Sequence, residues 1–457
     1  MLSEYKWRFL VLSIFVVFPI YYVYFFPIIF KKKLEFEFYD HFQHNFQNFE
    51  TFYSLLFALC TLPNIFLPLF KVKILRNGKL KLKLLIFFLF IFVGELVFEE
   101  GYSQKNVYLM LLGRFLFGVG AEIIFSLINA FLMKYFNFHA LKIIMASLFT
   151  ISTTFGAFSF IISPIVLIYY DVFAILSINK TFLTISLVFL VMTILYDKYI
   201  HHSNMKINTL LESIDKNTNI YQENIKFSQF FYSAAKRNNK INFLLYIFPI
   251  FSFMSSLLFN NYGANFLNET TYKDVSRNKI YMLIGVQFCG YWLFSVFFAT
   301  LVTFYLEYSS EEKEKIHSLT VTSFFILIAG HLINLFFYPL VGIILIGISY
   351  GISFPIVFFI NEAHNQNEDF LISGINLGLT IGSLLIGLIE GKNNVMICEI
   401  FCLFLAIMSF LIYIFFNHNQ ILKFQKKKTP LEEYTIFSTL NSERNSLVEL
   451  DIIKKKF

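Results

Sequence analysis

Charge is scarce in this 457-residue chain: only 15% of residues are Asp, Glu, Lys or Arg, against 57% hydrophobic, with a mean hydropathy of +0.64. That balance excludes an ordinary water-soluble globular domain. The chain also lacks a polar stretch long enough to fold as a separate catalytic domain. Its four cysteines, Cys60, Cys289, Cys398 and Cys402, all fall inside apolar runs. They suggest neither a disulfide framework nor a zinc site, and no metal or cofactor is expected. The net charge of +7 lies in loops between apolar runs, which argues for anionic lipid rather than nucleic acid as the partner.

What is abundant is apolar length. Runs of about 20 residues, enough to cross roughly 30 Å of hydrocarbon, recur along nearly the whole chain. They predict twelve membrane spans at about 9–30, 49–70, 84–104, 106–131, 143–168, 181–196, 241–260, 280–306, 318–337, 339–360, 370–390 and 394–416. The first lacks a small-residue cleavage site before Lys31-Lys32-Lys33, so it reads as a retained span. The 63 phenylalanines weaken any argument from aromatic stripes.

The expected organisation is an N-terminal six-helix bundle over 1–196, a central polar loop over 197–240, a C-terminal six-helix bundle over 241–416 and a polar tail over 417–457. An even span count puts both termini on one side. That side carries 27 of the 37 lysines and arginines and the opposite side 9, with Arg114 inside the membrane. The excess predicts cytosolic termini. Two N-x-[ST] sequons, at Asn179 and Asn268, fall on the other side, where glycosylation acceptors belong.

Six plus six spans around a central loop is the layout of the major facilitator superfamily, with a solute site near the bilayer midplane. Candidate residues concentrate in the fourth span, "GRFLFGVGAEIIFSLIN". Gly118 and Gly120 follow Arg114 at a spacing that lets helices approach closely. Arg114 then faces a cavity, snorkels, or bonds backbone carbonyls at a helix contact. Asn129 returns to within about 20° of Glu122 on a helical wheel and Ser126 sits about 40° from it, so the three form one polar stripe. An ionisable group at that depth costs several kcal/mol without water, a partner or a ligand, so function is the first reading of Glu122. A protonated carboxyl bonded to a neighbouring helix is the alternative. Weaker candidates are Asn64, which follows Pro63, and Glu95, Tyr246, His331, Tyr350 and Asn376.

The fourth-span sequence "LMLLGRFLFGVGAE…SLINAFLMKYF" resembles the major facilitator superfamily domain-containing protein 1 group, the lysosomal dipeptide uniporters. Other pieces are similar in the same order: "RFLVL" at Arg8 to Leu12, Pro27, Pro63-Asn64, "IFPIF" with "FNNYG", "IGISY" with "FPIVFFINEAH", and "INLGL" at Ile375 to Leu379 followed by Gly387. They span about residues 8 to 392. The resemblance implies that Glu122 holds a peptide's ammonium group, in a contact strengthened by low dielectric. It also implies a lysosomal or other endomembrane location and a glycosylated single-span accessory subunit, with the plasma membrane as second choice.

Two departures stand out. Where the family has a fifth-span arginine, this chain has Thr154 in "ISTTFGAF", which bonds a carboxylate without neutralising it. Arg114 is the nearest substitute cation, about 12 Å from Glu122 along the helix axis and about 80° round it. The loop "FKVKILRNGKLKLKL" keeps Arg76, Gly78 and Lys79 but has no acidic residue, so the usual inter-bundle ion pair there is absent and gating rests elsewhere. The tail's "YTIF", Tyr434 to Phe437, and its terminal "KKKF" resemble sorting signals with different addresses. The expected protein is a non-enzymatic carrier of short peptides or amino acids, uniporting or proton-coupled through Glu122. Another solute class such as sugars or nucleosides, or a non-transporting scaffold or receptor on the same fold, is the alternative.

Overall fold

The computed structural model describes residues 2–40, 42, 49–76, 80–132, 135, 136, 138–212, 243–272, 275–307, 312–363, 368–391 and 394–427. Among them the secondary structure is helical, without strands. By compactness the chain divides into two units, Met1–Ser409 and Phe410–Phe457. The described part of the second is the end of one helix; the sorting-like tail signals lie outside the described residues.

Within the first unit, α1 (Leu2–Phe25) ends in a 3-10 turn at Phe26–Ile28, and α2 (Lys31–Glu37) follows. The second span is split into α3 (Phe49–Thr61) and α4 (Pro63–Arg76). Pro63 supplies no backbone N–H, and Ile65 N–H bonds back only three residues, to Leu62 O. Then come α5 (Leu80–Ser103), α6 (Val107–Leu132), α7 (Phe138–Tyr169) and α8 (Val172–Glu212). The seventh span divides into α9 (Phe243–Leu257) and α10 (Phe259–Thr270), followed by α11 (Arg277–Glu307), α12 (Glu312–Phe336), α13 (Pro339–Ala363), α14 (Glu368–Glu390) and α15 (Val395–Lys427).

Ten described stretches are long and apolar enough to cross a membrane. They coincide with ten of the twelve expected spans. The third, α5, is long enough but carries Lys81, Lys83, Glu95, Glu99 and Glu100. The seventh is interrupted at Leu258, where Asn261 N–H bonds to Leu258 O and tightens the ladder. Two boundaries differ from expectation because the helical pattern runs on into polar sequence. The sixth span begins at Val172 and its helix continues to Glu212, inside the segment expected as loop, and α15 continues to Lys427.

The pairing of helices repeats in the two halves, as expected of two pseudo-symmetric six-helix bundles. α5 packs on α6 as α12 packs on α13, α3 on α6 as α11 on α13, and α1 on α7 as α9 on α14. The halves meet along two seams, α7 against α11 and α14 against α3 and α4. With lipid outside, such contacts depend on close packing and hydrogen bonds. The fourth-span glycines serve that end: a Cβ at Gly118 would collide with the Cys60 carbonyl of α3, and one at Gly120 with Ile91 and the Phe87 carbonyl of α5.

Candidate functional site

Of the expected site residues, Arg114 is a deeply buried charge. On α6 it is 1% exposed. Its Nη2 donates to the Tyr24 carbonyl of α1 at 3.2 Å, and its guanidinium lies 5.9 Å from the Tyr24 ring and 5.1 Å from the Phe117 ring. Its Nε and Nη1 have no hydrogen-bond partner. A buried cation with two unused N–H groups is a costly arrangement, and it is complementary to a bidentate anion such as a carboxylate.

From Arg114 an aromatic path crosses between the halves. The Tyr24 ring lies 5.2 Å from Phe25. Phe25 lies 4.4 Å from Trp292 of α11, and Trp292 lies 5.7 Å from Tyr350 of α13. The Trp292 Nε1 hydrogen is buried without an acceptor. Tyr350 is also flanked by Phe253 and Phe354. Arg114 and Tyr350, both expected site residues, are thus joined through three rings, two on α1 and one on α11.

The other expected residues lie on the two seams. Asn64 and Asn376 are buried; Asn64 donates back across the Pro63 break to Cys60 O of α3 at 3.3 Å, and Asn376 donates within α14 to Ile372 O at 2.9 Å. Beside them Thr61 of α3 meets Thr380 of α14 at 2.8 Å. Thr154 is half-buried and donates to Thr150 O at 2.7 Å, while the Thr150 hydroxyl meets Thr300 of α11 at 3.0 Å. Glu122 and Asn129 are on α6, but their side chains lie outside the described residues.

The sequon asparagines fare differently. Asn268 is half-buried near the end of α10, beside exposed Glu269. Asn179 is 0% exposed, and its amide donates to Glu95 of α5 at 2.8 Å. That placement corrects the expectation of glycosylation at Asn179, because a glycan on this nitrogen has no room and would break the bond. The same contact gives buried Glu95 a structural partner.

Sequence reasoning missed an ionic tie between the halves. Lys31, read as a loop lysine, is 0% exposed, with its Nζ 2.7 Å from both Glu50 of α3 and Glu390 of α14 and 3.1 Å from the Asn261 carbonyl of α10. Asn265 Nδ2 bridges the same carboxylates, at 3.0 Å to Glu50 and 2.6 Å to Glu390. Burial alone would depress the Lys31 ammonium, but the two carboxylates outweigh it and hold its pKa above the ordinary lysine value. Gly387 permits this meeting, since a Cβ there would run into Ser54. The available signal was an unbroken charge cluster directly after a span, with lone glutamates at two other span ends.

No family model matches the chain, and no curated protein matches its sequence. Solved structures do match its fold. The human organic anion transporter MFSD10 (TETRAN) is similar at a TM-score of 0.55 and 11% identity, covering 89% of this chain and 99% of that one. The nucleoside transporter NupG is similar at a TM-score of 0.57 and 12% identity, covering 90% of this chain and 99% of that one. At such identities the likeness establishes the major facilitator fold of a multi-pass membrane protein.

Proposed function

We propose that this protein is a solute carrier working by alternating access, and that its solute is a small organic molecule bearing a carboxylate. The observation that carries the reading is Arg114, buried within the N-terminal half with Nε and Nη1 unused, at one end of the ring path that reaches Trp292 and Tyr350 of the other half. Short peptides and amino acids are the preferred class: Arg114 takes the carboxylate in place of the fifth-span arginine that Thr154 replaces, and Glu122 takes the ammonium. Asn64, Asn129, Thr154, Tyr350 and Asn376 complete the polar lining. No covalent step is involved; carriage needs only that both arrangements bind the solute, and a bound solute shifts their balance only by its difference in affinity. The fold likeness and the apolar spans support a transporter over a scaffold or an enzyme.

A second reading has its own observation. Trp292, with a free indole N–H between Phe25 and Tyr350, offers a planar stacking surface, which suits a nucleoside or an aromatic anion. The endomembrane address, cytosolic termini and single-span accessory subunit belong to the same proposal and rest on the sequence resemblance and charge distribution.

A thermal-shift screen of the purified protein with amino acids, di- and tripeptides, nucleosides, organic anions and sugars separates these readings. A ligand at 100 times its Kd stabilises by about 2.7 kcal/mol. Stabilisation by peptides that disappears in both Arg114→Gln and Glu122→Gln is the expected result. Stabilisation by nucleosides that disappears in Trp292→Ala selects the second reading. Stabilisation by sugars alone, untouched by these variants, overturns both.

A further inference from the structure

Behind the ionic tie lies a second buried cluster that solute binding does not use. His331 of α12 and Glu399 of α15 are both 0% exposed, with Nδ1 and Oε1 2.7 Å apart. Glu399 Oε1 also accepts from Asn334 Nδ2 at 2.9 Å, and its other oxygen accepts from the Tyr262 hydroxyl of α10. On the far side of the imidazole, Nε2 meets Ser255 Oγ of α9 at 2.9 Å, and that oxygen is 2.9 Å from the Cys402 carbonyl. Ser255 and Tyr262 lie on opposite sides of the interruption at Leu258. The dyad therefore holds both ends of the break in the seventh span.

Hydrogen counting shows what this arrangement requires. A serine hydroxyl has one hydrogen, and a carbonyl can only accept. When Ser255 donates to Cys402 O, His331 must donate from Nε2. A further proton then lies between Nδ1 and Glu399, because two bare acceptors do not sit 2.7 Å apart. The dyad is then neutral overall, as an imidazolium facing a carboxylate or as imidazole facing a carboxylic acid. Losing that proton leaves a buried negative charge. It also forces the Ser255 hydrogen round to Nε2, stripping the Cys402 carbonyl of its donor.

We propose that His331 and Glu399 form a proton-binding site, and that its occupancy seats α10 and so the Lys31 tie. The mechanical link is short. Tyr262 of α10 rests on the dyad, while Asn261 and Asn265 of the same helix reach Lys31, Ser383, Glu50 and Glu390. The dyad lies toward the ends of its helices: Glu399 is four residues into α15, about 6 Å along its axis, and His331 is five residues from the end of α12. The titratable groups facing the dyad are Tyr262 from α10 and Cys398 and Cys402 from α15 itself. Among the described residues no lysine or arginine pairs with it. For its consequence the proposal rests on the alternating-access reading; the proton site does not.

The test is a pair of spin labels on Phe36→Cys and Glu269→Cys, both exposed at the Lys31 face, with the four buried native cysteines left in place. Inter-label distances are measured in lipid nanodiscs at a series of pH values from about pH 5 to about pH 8. The closed distance dominates at the acidic end. A longer-distance population grows several-fold toward the alkaline end, no more steeply than about tenfold per pH unit, the limit for one proton. Glu399→Gln, neutral at every pH, holds the closed distance throughout, and His331→Gln removes the pH response. A flat wild-type titration, which needs no variant beyond the labels, overturns the proposal. So does a pH response that survives Glu399→Gln, which assigns the titration to Glu50 and Glu390. Absence of solute flux in proteoliposomes would sink the carrier reading and leave these distances unaffected.

Discussion

The two halves of this protein are joined differently at the Lys31 face and at mid-depth. At the face, one buried ammonium sits between two carboxylates and a carbonyl, all within 3.1 Å. At mid-depth the contacts are two hydroxyl pairs, Thr61 with Thr380 and Thr150 with Thr300, and ring contacts such as Phe25 with Trp292. A buried ion group resists partial separation, because each charge pulled from its partners is left stranded in low dielectric. Hydroxyl pairs and stacked rings can slide or exchange partners at about 1 kcal/mol each. The difference points to a latch at the face and a yielding seam at the depth where a solute would bind.

The largest expected effect is therefore at the latch. Lys31→Met leaves Glu50 and Glu390 facing each other and costs the closed face about 3–5 kcal/mol, at least a hundredfold in population. Spin labels on Phe36→Cys and Glu269→Cys should move to the longer distance. Adding Glu50→Gln and Glu390→Gln should recover most of the closed population, since a neutral tie has no stranded charge. If Lys31→Met keeps the closed distance, the contrast between latch and seam fails. The lysine itself does not respond to pH in the physiological range. Its raised pKa means its contribution is fully present below the ordinary lysine value and fades only as pH climbs through the still higher folded value. A smaller effect is expected from Trp292→Phe, which keeps the ring stack and removes the indole N–H. It should lower thermal stability by at most about 1.5 kcal/mol. A loss of solute affinity much larger than the stability loss would place Trp292 in contact with solute.

Much of the fold was legible because membrane spans announce themselves by length and apolarity, residue by residue. Where the sequence misled, two effects combined in one helix. The seventh span was read as ending at 260, since the polar run "NNYGAN" looks like a loop. In the structure Asn261 and Asn265 are buried polar groups that serve the latch. Periodicity cannot show this, because the partners Glu50 and Glu390 are over a hundred residues away. Arg114 was legible as an intramembrane cation; in the structure one of its nitrogens takes the Tyr24 carbonyl, the backbone contact the sequence left open beside a cavity-facing role. His331 was underrated because nothing near it in sequence supplied an acid; Glu399, 68 residues on, does so only after folding. The lone glutamate in "VMICEIFC" carried the signal, as an ionisable group inside an apolar run.

The smallest predicted effect is the most informative about the seam. Thr61→Val with Thr380→Val removes both hydroxyls of the 2.8 Å pair and retains nearly the same shape. Each threonine also bonds its own helix, Thr61 to the Phe57 and Ala58 carbonyls and Thr380 to the Asn376 carbonyl, so neither helix depends on the cross-seam contact. Replacing both partners by apolar groups of similar shape is close to neutral, and the double variant should change thermal stability by under about 1 kcal/mol. Thr61→Val alone should also stay under about 1 kcal/mol, because the Thr380 hydroxyl keeps the Asn376 carbonyl as its acceptor. A double variant as damaging as Lys31→Met would mean that the seam also latches, and that the halves are held shut along their whole depth. Near-neutrality would leave the Lys31 face as the place where opening is decided, with Asn64 and Asn376 flanking a seam free to part around a solute.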